Sequence, residues 1–322
     1  MKAGRIDRAT VWAVGLIVVV IAIVPWLVPS YSAFELTYAG AYAIAILGLV
    51  ILIGLCGQIS LGHGAFLALG GYTVAILSHR FETPDWLSIP LAALLCAVVG
   101  ISLGLVALRL EGVYMALTTF ALAVAVPSIL KRFKDLTGGV GGITLKPVSV
   151  PASLHAFLTP ERWTYLWTWA LLGALFALSW FVLQGRVGRS LRALRDSETA
   201  AVAFGVNPQV YKTLAFAWSA AYAGIAGGIL AIATAYVSPD SYGFTLSLTL
   251  VIGAVLGGLD LLWGALLGGF LIEFLPLWAQ KINAAAPSLV YGIALIVVMI
   301  VLPGGIAGAI GRIFRKTAVR TP

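Results

Sequence analysis

Charge is the scarcest property of this chain: of its 322 residues, only 20 are Lys or Arg and 12 are Asp or Glu. Soluble domains carry roughly 25% charged residues. Here the figure is 10%, against 61% from the set A, V, I, L, M, F, W, Y and C, with a mean hydropathy of +1.03. So little polar surface cannot cover a water-facing globule, which excludes an ordinary soluble protein and leaves a bilayer as the solvent. Cysteine is nearly absent. Cys56 and Cys96 both lie in apolar stretches without C-x-x-C spacing, so they indicate neither a disulfide nor a metal site. The three histidines, His63, His79 and His155, stand among carboxylate-poor segments, which leaves a metal centre without ligands. No Gly-Lys pair occurs anywhere, so there is no phosphate loop and the chain itself does not hydrolyse ATP. No catalytic residue, metal or cofactor is expected.

What is present is a series of apolar runs. A spanning helix needs about 20 apolar residues, and the runs fall at about 11–28, 38–56, 65–79, 88–108, 112–130, 164–183, 214–236, 246–258, 262–276 and 288–303. The expected fold is an all-α polytopic membrane protein of about ten transmembrane helices, forming one domain over residues 1–322. The run from Val11 to Val28 follows a basic start, and Ser30–Ala33 resembles a small-residue cleavage site. Its apolar core exceeds the roughly 7–15 residues of a signal peptide, which favours a retained first span over a cleaved leader. Several runs are short and joined by Gly-rich turns, as in broken or re-entrant helices near a transport path.

The net charge of +8 reads as a topological bias, with positive loops held in the cytoplasm, and calls for no nucleic acid. With both termini inside, thirteen Lys and Arg fall on the cytoplasmic side and seven outside, the latter including Lys131, Arg132 and Lys134. The basic tail, 304–322, is then cytoplasmic and the loop 131–163 is outer. Acids within the spans are rare: Glu273 is the only one well inside an apolar run, and Asp260 sits in a short turn between two half-length helices. Carriers driven by ion gradients place acids near the midplane, so this scarcity speaks against a self-powered carrier. It also leaves no acid–histidine cluster for a membrane-embedded enzyme.

The longest inner polar stretch, 184–212, is the most informative. Ser197 is placed to cap a short helix starting at Glu198, whose acid lies at the positive helix end. Gly205 supplies a left-handed stop and Asn207-Pro208 prevents continuation, giving a helix of about eight residues. Ala200, Ala201 and Ala203 keep its side chains small, so another protein's surface can approach closely. With Arg192, Arg195 and Asp196 before it, this helix is either a docking element or a solvated loop that fixes topology.

Here the chain resembles a known family. Arg195-Asp-Ser-Glu-Thr-Ala-Ala-x-x-x-Gly205 looks like the EAA-type loop of ABC importer permeases, with the acid displaced by one position. Tyr211-Lys212-x-x-Ala215-Phe216-x-x-Ser219-Ala220-x-x-Ala223-Gly224-x-x-Gly227 resembles the branched-chain amino-acid permeases in particular. So do Gly57-Gln-Ile-Ser-Leu-Gly-His-Gly64 with Gly70-Gly71-Tyr72, Leu136-Thr-Gly-Gly-x-x-Gly-Ile143, and Val255-Leu-Gly-Gly-Leu259 with Trp263-Gly264 and Gly268. The long outer loop from Thr137 to Pro160 suits the LivM-type membrane subunit. The resemblance implies ABC importer permease architecture in a bacterial inner membrane. It also implies a homologous second permease subunit, two cytoplasmic ATP-binding subunits and a periplasmic substrate-binding protein. Coupling to the ATPase would fall to Arg195, Asp196, Ser197, Glu198, Ala200, Ala201 and Gly205. The implied cargo is a branched-chain or related amino acid; urea or a short amide is the alternative within the same family, and a self-powered secondary transporter the alternative outside it.

The Gly57–Gly64 stretch joins two apolar helices with backbone that would be costly in lipid unless protein or water surrounds it. Gln58, Ser60 and His63 either line a translocation path, offering weak hydrogen bonds, or satisfy local backbone. Thr118 and Thr119 either bond back to their own helix or contribute to the path. The small residues of 224–228 and 253–269 suit close helix contact. Gly138–Gly142 would be a hinge or a docking surface for an external protein.

Overall fold

The structure is a computed structural model and describes residues 19, 21–108, 110, 112–148, 150, 158–281, 286–302 and 304–309. Of the expected first span, residues 11–18 and 20 lie outside the described residues. Residues 21–27 are helical, and the Tyr165 hydroxyl donates to the Ile21 carbonyl at 3.1 Å. Most of the basic tail, and with it the orientation of the termini, also falls outside the described residues, as does part of the outer loop.

The long helices are α1 (Ser30–Leu49), α2 (His63–Phe81), α3 (Asp85–Ala107), α4 (Val113–Arg132) and, after the one-turn α5 (Lys134–Thr137), α6 (Pro160–Gln184). Then come the short α7 (Arg186–Asp196) and α8 (Glu198–Ala203), the long α9 (Pro208–Thr234), α10 (Phe244–Gly257), α11 (Trp263–Gln280) and α12 (Ala286–Val301). Every one of the nine apolar runs from 38–56 onward coincides with one of these helices. Among the described residues, six helical segments are long and apolar enough to cross a bilayer: Ser30–Leu55, Asp85–Val106, Val113–Arg132, Pro160–Gln184, Pro208–Thr234 and Pro239–Gly257.

Two of these are central. The best apolar window of α9 is 89% buried and that of α1 with its extension 83%, whereas those of α3, α4 and α6 are 22–28% buried. The sequence explains the difference: α9 is rich in Ala and Gly where neighbours press on it. A Cβ added at Gly224 would stand 2.6 Å from Cys96 Sγ of α3, and one added at Gly70 of α2 would strike the Gly224 backbone. Dispersion and close backbone approach, rather than water exclusion, hold helices together in lipid. The peripheral helices turn large side chains outward, among them Leu94, Val98 and Leu105 of α3 and Phe181 of α6.

Polar contacts collect at two opposite ends. At one, a minimal antiparallel pair joins β1 (Ile143–Thr144) to β2 (Tyr236–Val237), Ile143 opposite Val237. Lys131 pairs with Asp240 at 2.5 Å, Lys146 with Glu82 at 2.7 Å, and Arg80 donates to the Asp135 carbonyl. The other end carries α7 and α8 with their ion pairs.

Candidate functional site

The end of α1 is the first local departure from regular helix. After Leu49 the chain widens into a π-helical stretch, Val50–Leu55, and stops at Gly57 in the left-handed conformation, φ 74°. Only glycine adopts that conformation without a steric penalty. Single-turn π segments inside α-helices recur at functional positions. Residues 57–62 then run without helix, yet their backbone is not abandoned. The Gln58 N–H donates to the Leu52 carbonyl at 3.0 Å and the Leu61 N–H to Thr119 Oγ1 of α4 at 2.9 Å.

That loop leads into a buried polar cluster at the start of α2. His63 Nε2 lies 2.7 Å from Ser219 Oγ of α9, and His63 Nδ1 3.4 Å from Ser60 Oγ. The Gly64 N–H donates to Ser247 Oγ of α10 at 2.8 Å. Ser60, His63, Thr119, Ser219 and Ser247 are all within 1% of full burial. Of the path candidates, Ser60, His63 and Thr119 therefore come together. Gln58 stands apart near the α7 end, and the Thr118 hydroxyl bonds back to the Tyr114 carbonyl at 2.9 Å. Ser219 and Ser247 escape sequence reasoning, because nothing local marks a hydroxyl as the partner of a histidine 156 residues away.

The second polar assembly is the two-helix loop. α7 buries Leu191 and Leu194 along one face and leaves its arginines on the other. Burying each such leucine contributes about 1.5–3 kcal/mol. Ser197 caps α8 as its sequence suggests, Oγ accepting from the Ala200 N–H at 3.3 Å. The helix spans six residues rather than about eight, because a Schellman closure ends it early: Val206 N–H to the Ala201 carbonyl at 3.0 Å, Gly205 N–H to the Val202 carbonyl at 2.9 Å, Gly205 at φ 81°.

Two ion pairs lock the loop to the bundle. Lys212, only 6% exposed, reaches Glu198 Oε2 at 2.6 Å. Arg195 pairs with Asp260 at 2.9 Å in the turn between α10 and α11 and donates to the Gly54 carbonyl in the π segment, while its stem packs on Gly57. Asp196 is exposed beside Arg195 at 3.8 Å. Ala201 departs from the sequence expectation. It is 3% exposed and turned into the protein, so only Ala200 and Ala203 present small side chains outward. The outward face also carries Val202 and the 89% exposed Phe204, which small-residue reasoning passed over.

Residues 32–302 match the family model described as branched-chain amino acid transport system / permease component. The chain belongs to this permease family. The LivM permease protein of the high-affinity branched-chain amino acid transport system in Escherichia coli strain K12 is 33% identical over 294 residues, covering 83% of this chain and 68% of that protein; LivM of Salmonella typhimurium matches to the same extent. The LivH permease protein of Salmonella typhimurium is 26% identical over 292 residues, covering 84% of this chain and 92% of that one. No solved structure matches. As a member of that family the chain is a transmembrane transport component and not an enzyme. At the permease's β-paired end, Glu82 is held below the usual glutamate range, first by the hydrogen bond from Lys146 and then by its charge.

Proposed function

We propose that this chain is the membrane-spanning subunit of an ATP-driven importer of branched-chain or related amino acids, powered by a separate ATPase. The observation that carries the reading is the two-helix loop: a capped, Schellman-closed helix whose exposed Ala200, Val202, Ala203 and Phe204 form a small apolar surface on an otherwise basic end. Such a surface suits insertion into a groove of a cytoplasmic ATP-binding subunit. The two ion pairs would pass its displacement to α9 through Lys212 and to α1 and the α10–α11 turn through Arg195. Coupling then amounts to differential contact in two states, as any ligand-driven shift requires. Arg195, Asp196, Ser197, Glu198 and Gly205 build and orient the helix, Ala200 meets the partner, and Ala201 seats the helix on its own bundle.

The same reading puts the loop end in the cytoplasm of a bacterial inner membrane, with the β-paired end facing a periplasmic binding protein. The nine long helices among the described residues, together with the first apolar run, would make ten crossings with both termini cytoplasmic. A homologous second permease would cover part of the exposed apolar flank. Ser60, His63 and Thr119, with Gln58 at the mouth, would let the 57–62 loop move without leaving its backbone unsatisfied.

The test is Phe204→Asp in the assembled transporter. The Phe204 side chain is 89% exposed, so the permease should fold and pair normally while ATPase co-purification falls at least tenfold. Undiminished ATPase association and uptake would overturn the docking assignment.

A further inference from the structure

The structure assigns a substrate-binding vestibule to the cleft between α10 and α11 at the end opposite α7 and α8, with Glu273 as the seat for the ammonium group of an aliphatic amino acid. This rests on the importer reading above and deepens it by naming where cargo sits in this subunit.

The cleft has a volume of about 430 Å³. That is within the roughly 300–1,000 Å³ typical of small-molecule sites. Its mouth is formed by Asp240, Ser241 and Gln280, and its lining mixes the hydroxyls of Thr245, Thr249 and Tyr42 with the apolar side chains of Leu246, Ile272 and Leu277. From Gln280 down to Ile272, eight residues of α11 give a depth of about 12 Å at 1.5 Å per residue. Below it the helices close: a Cβ added at Gly253 would stand 2.8 Å from Ile46 Cδ1 and 3.3 Å from the Gly268 carbonyl. The cleft is therefore a dead-ended vestibule, open away from the coupling helices.

Three features show how the site is built. Pro276 removes one N–H from α11, which frees the Ile272 carbonyl. The Tyr291 hydroxyl of α12 donates to that oxygen at 2.5 Å, bracing the wall instead of leaving it to collapse. At the mouth, Asp240 is already neutralised by Lys131 at 2.5 Å. Glu273 is different. It lines the cleft, and among the described residues its carboxylate has neither an ion pair nor a hydrogen bond. An acid within a span is costly and marks a functional position with a partner still to be named. The partner that fits beside Leu246, Ile272 and Leu277 is a primary ammonium on an aliphatic carbon. The substrate carboxylate then points to the mouth, where Ser241 and Thr245 hydroxyls and water meet it. Binding here is weak by design, because a tight site would trap cargo.

The experiment uses the full transporter with its partner permease and ATPase subunits, reconstituted with the binding protein in liposomes for uptake and without it in nanodiscs for saturation-transfer NMR, so that the leucine signal comes from the membrane subunits. The probe is leucine, with 4-methyl-2-oxopentanoate as the analogue lacking the ammonium. Glu273→Gln keeps shape and removes charge, Glu273→Asp keeps charge, and Thr249→Leu fills the cleft. The expected result is leucine moved per ATP falling at least tenfold in Glu273→Gln and Thr249→Leu, with assembly intact. The leucine NMR signal should be lost in Glu273→Gln and retained in Glu273→Asp, and the oxo acid should give no signal with the wild type. Wild-type uptake together with undiminished uptake and leucine signal in Glu273→Gln would sink the vestibule while leaving the importer reading standing. If the wild type takes up no amino acid, the importer reading falls, and the vestibule is then decided by whether its leucine signal exists and depends on Glu273.

Discussion

Replacing Glu198 by Ala tests how the short α8 is held. Lys212 is 6% exposed and its ammonium lies 2.6 Å from the Glu198 carboxylate, which is itself 42% exposed. Breaking a fully buried pair costs about 3–5 kcal/mol, because a charge is left unpartnered. A hydrogen bond to a charged group contributes about 1.5–3 kcal/mol. With one partner half open to water, the lower range applies, and about 2 kcal/mol is a reasonable working value. At 1.4 kcal/mol per decade, that is about a 30-fold loss in the docked fraction of the helix. Hydrogen exchange at residues 199–206 should accelerate by roughly that factor, while exchange in α9 beyond Ala215 stays unchanged. The isosteric Glu198→Gln, which keeps an acceptor, should fall between. Unaltered exchange at 199–206 in Glu198→Ala would refute the idea that this pair holds the helix in place.

Other perturbations probe separate joints. Asp260→Asn should loosen Arg195 from the α10–α11 turn and reduce cargo moved per ATP several-fold without reducing ATPase association, and the charge-exchanged double variant Arg195→Asp/Asp260→Arg should recover part of it. Tyr291→Phe strands the Ile272 carbonyl and should lower stability by about 1–3 kcal/mol, read as a fall in the thermal midpoint in detergent. Gly224→Val has no room beside Cys96 and should prevent recovery of folded protein, whereas Gly292→Ala, with nothing within 4 Å among the described residues, should be silent. The carboxyl of Glu82 is depressed below the ordinary 4.5 by Lys146. Its tie to residue 146 is therefore complete above that pH and lost as pH falls through the lower folded value. In Lys146→Ala its NMR titration should return to the ordinary value; an unmoved curve would mean the contact is absent in solution.

Local chemistry was legible in the sequence and distant pairing was not. Ser197, Glu198 and Gly205 declare a helix start and stop because capping and left-handed closure act within a few residues, and the cap and the φ of Gly205 follow suit. The apolar runs declare helices for the same reason. Which face of α8 turns inward depends on how it packs on the bundle, so Ala201 and Phe204 exchange the roles that small size alone would give them. Arg195 with Asp260, Glu198 with Lys212, and His63 with Ser219 are separated by 65, 14 and 156 residues. No periodicity links them; helix packing alone brings them together. Glu273 stood out as the one acid well inside an apolar run, yet its meaning required the cleft that Pro276 and Tyr291 shape around it.

The most direct test of the central claim is leucine uptake by proteoliposomes holding this chain alone, or the chain with its second permease, ATPase subunits and binding protein, each with and without ATP on the ATPase side. The account predicts accumulation only in the complete, ATP-supplied vesicles. Uptake by the chain alone, or uptake independent of ATP, would contradict it.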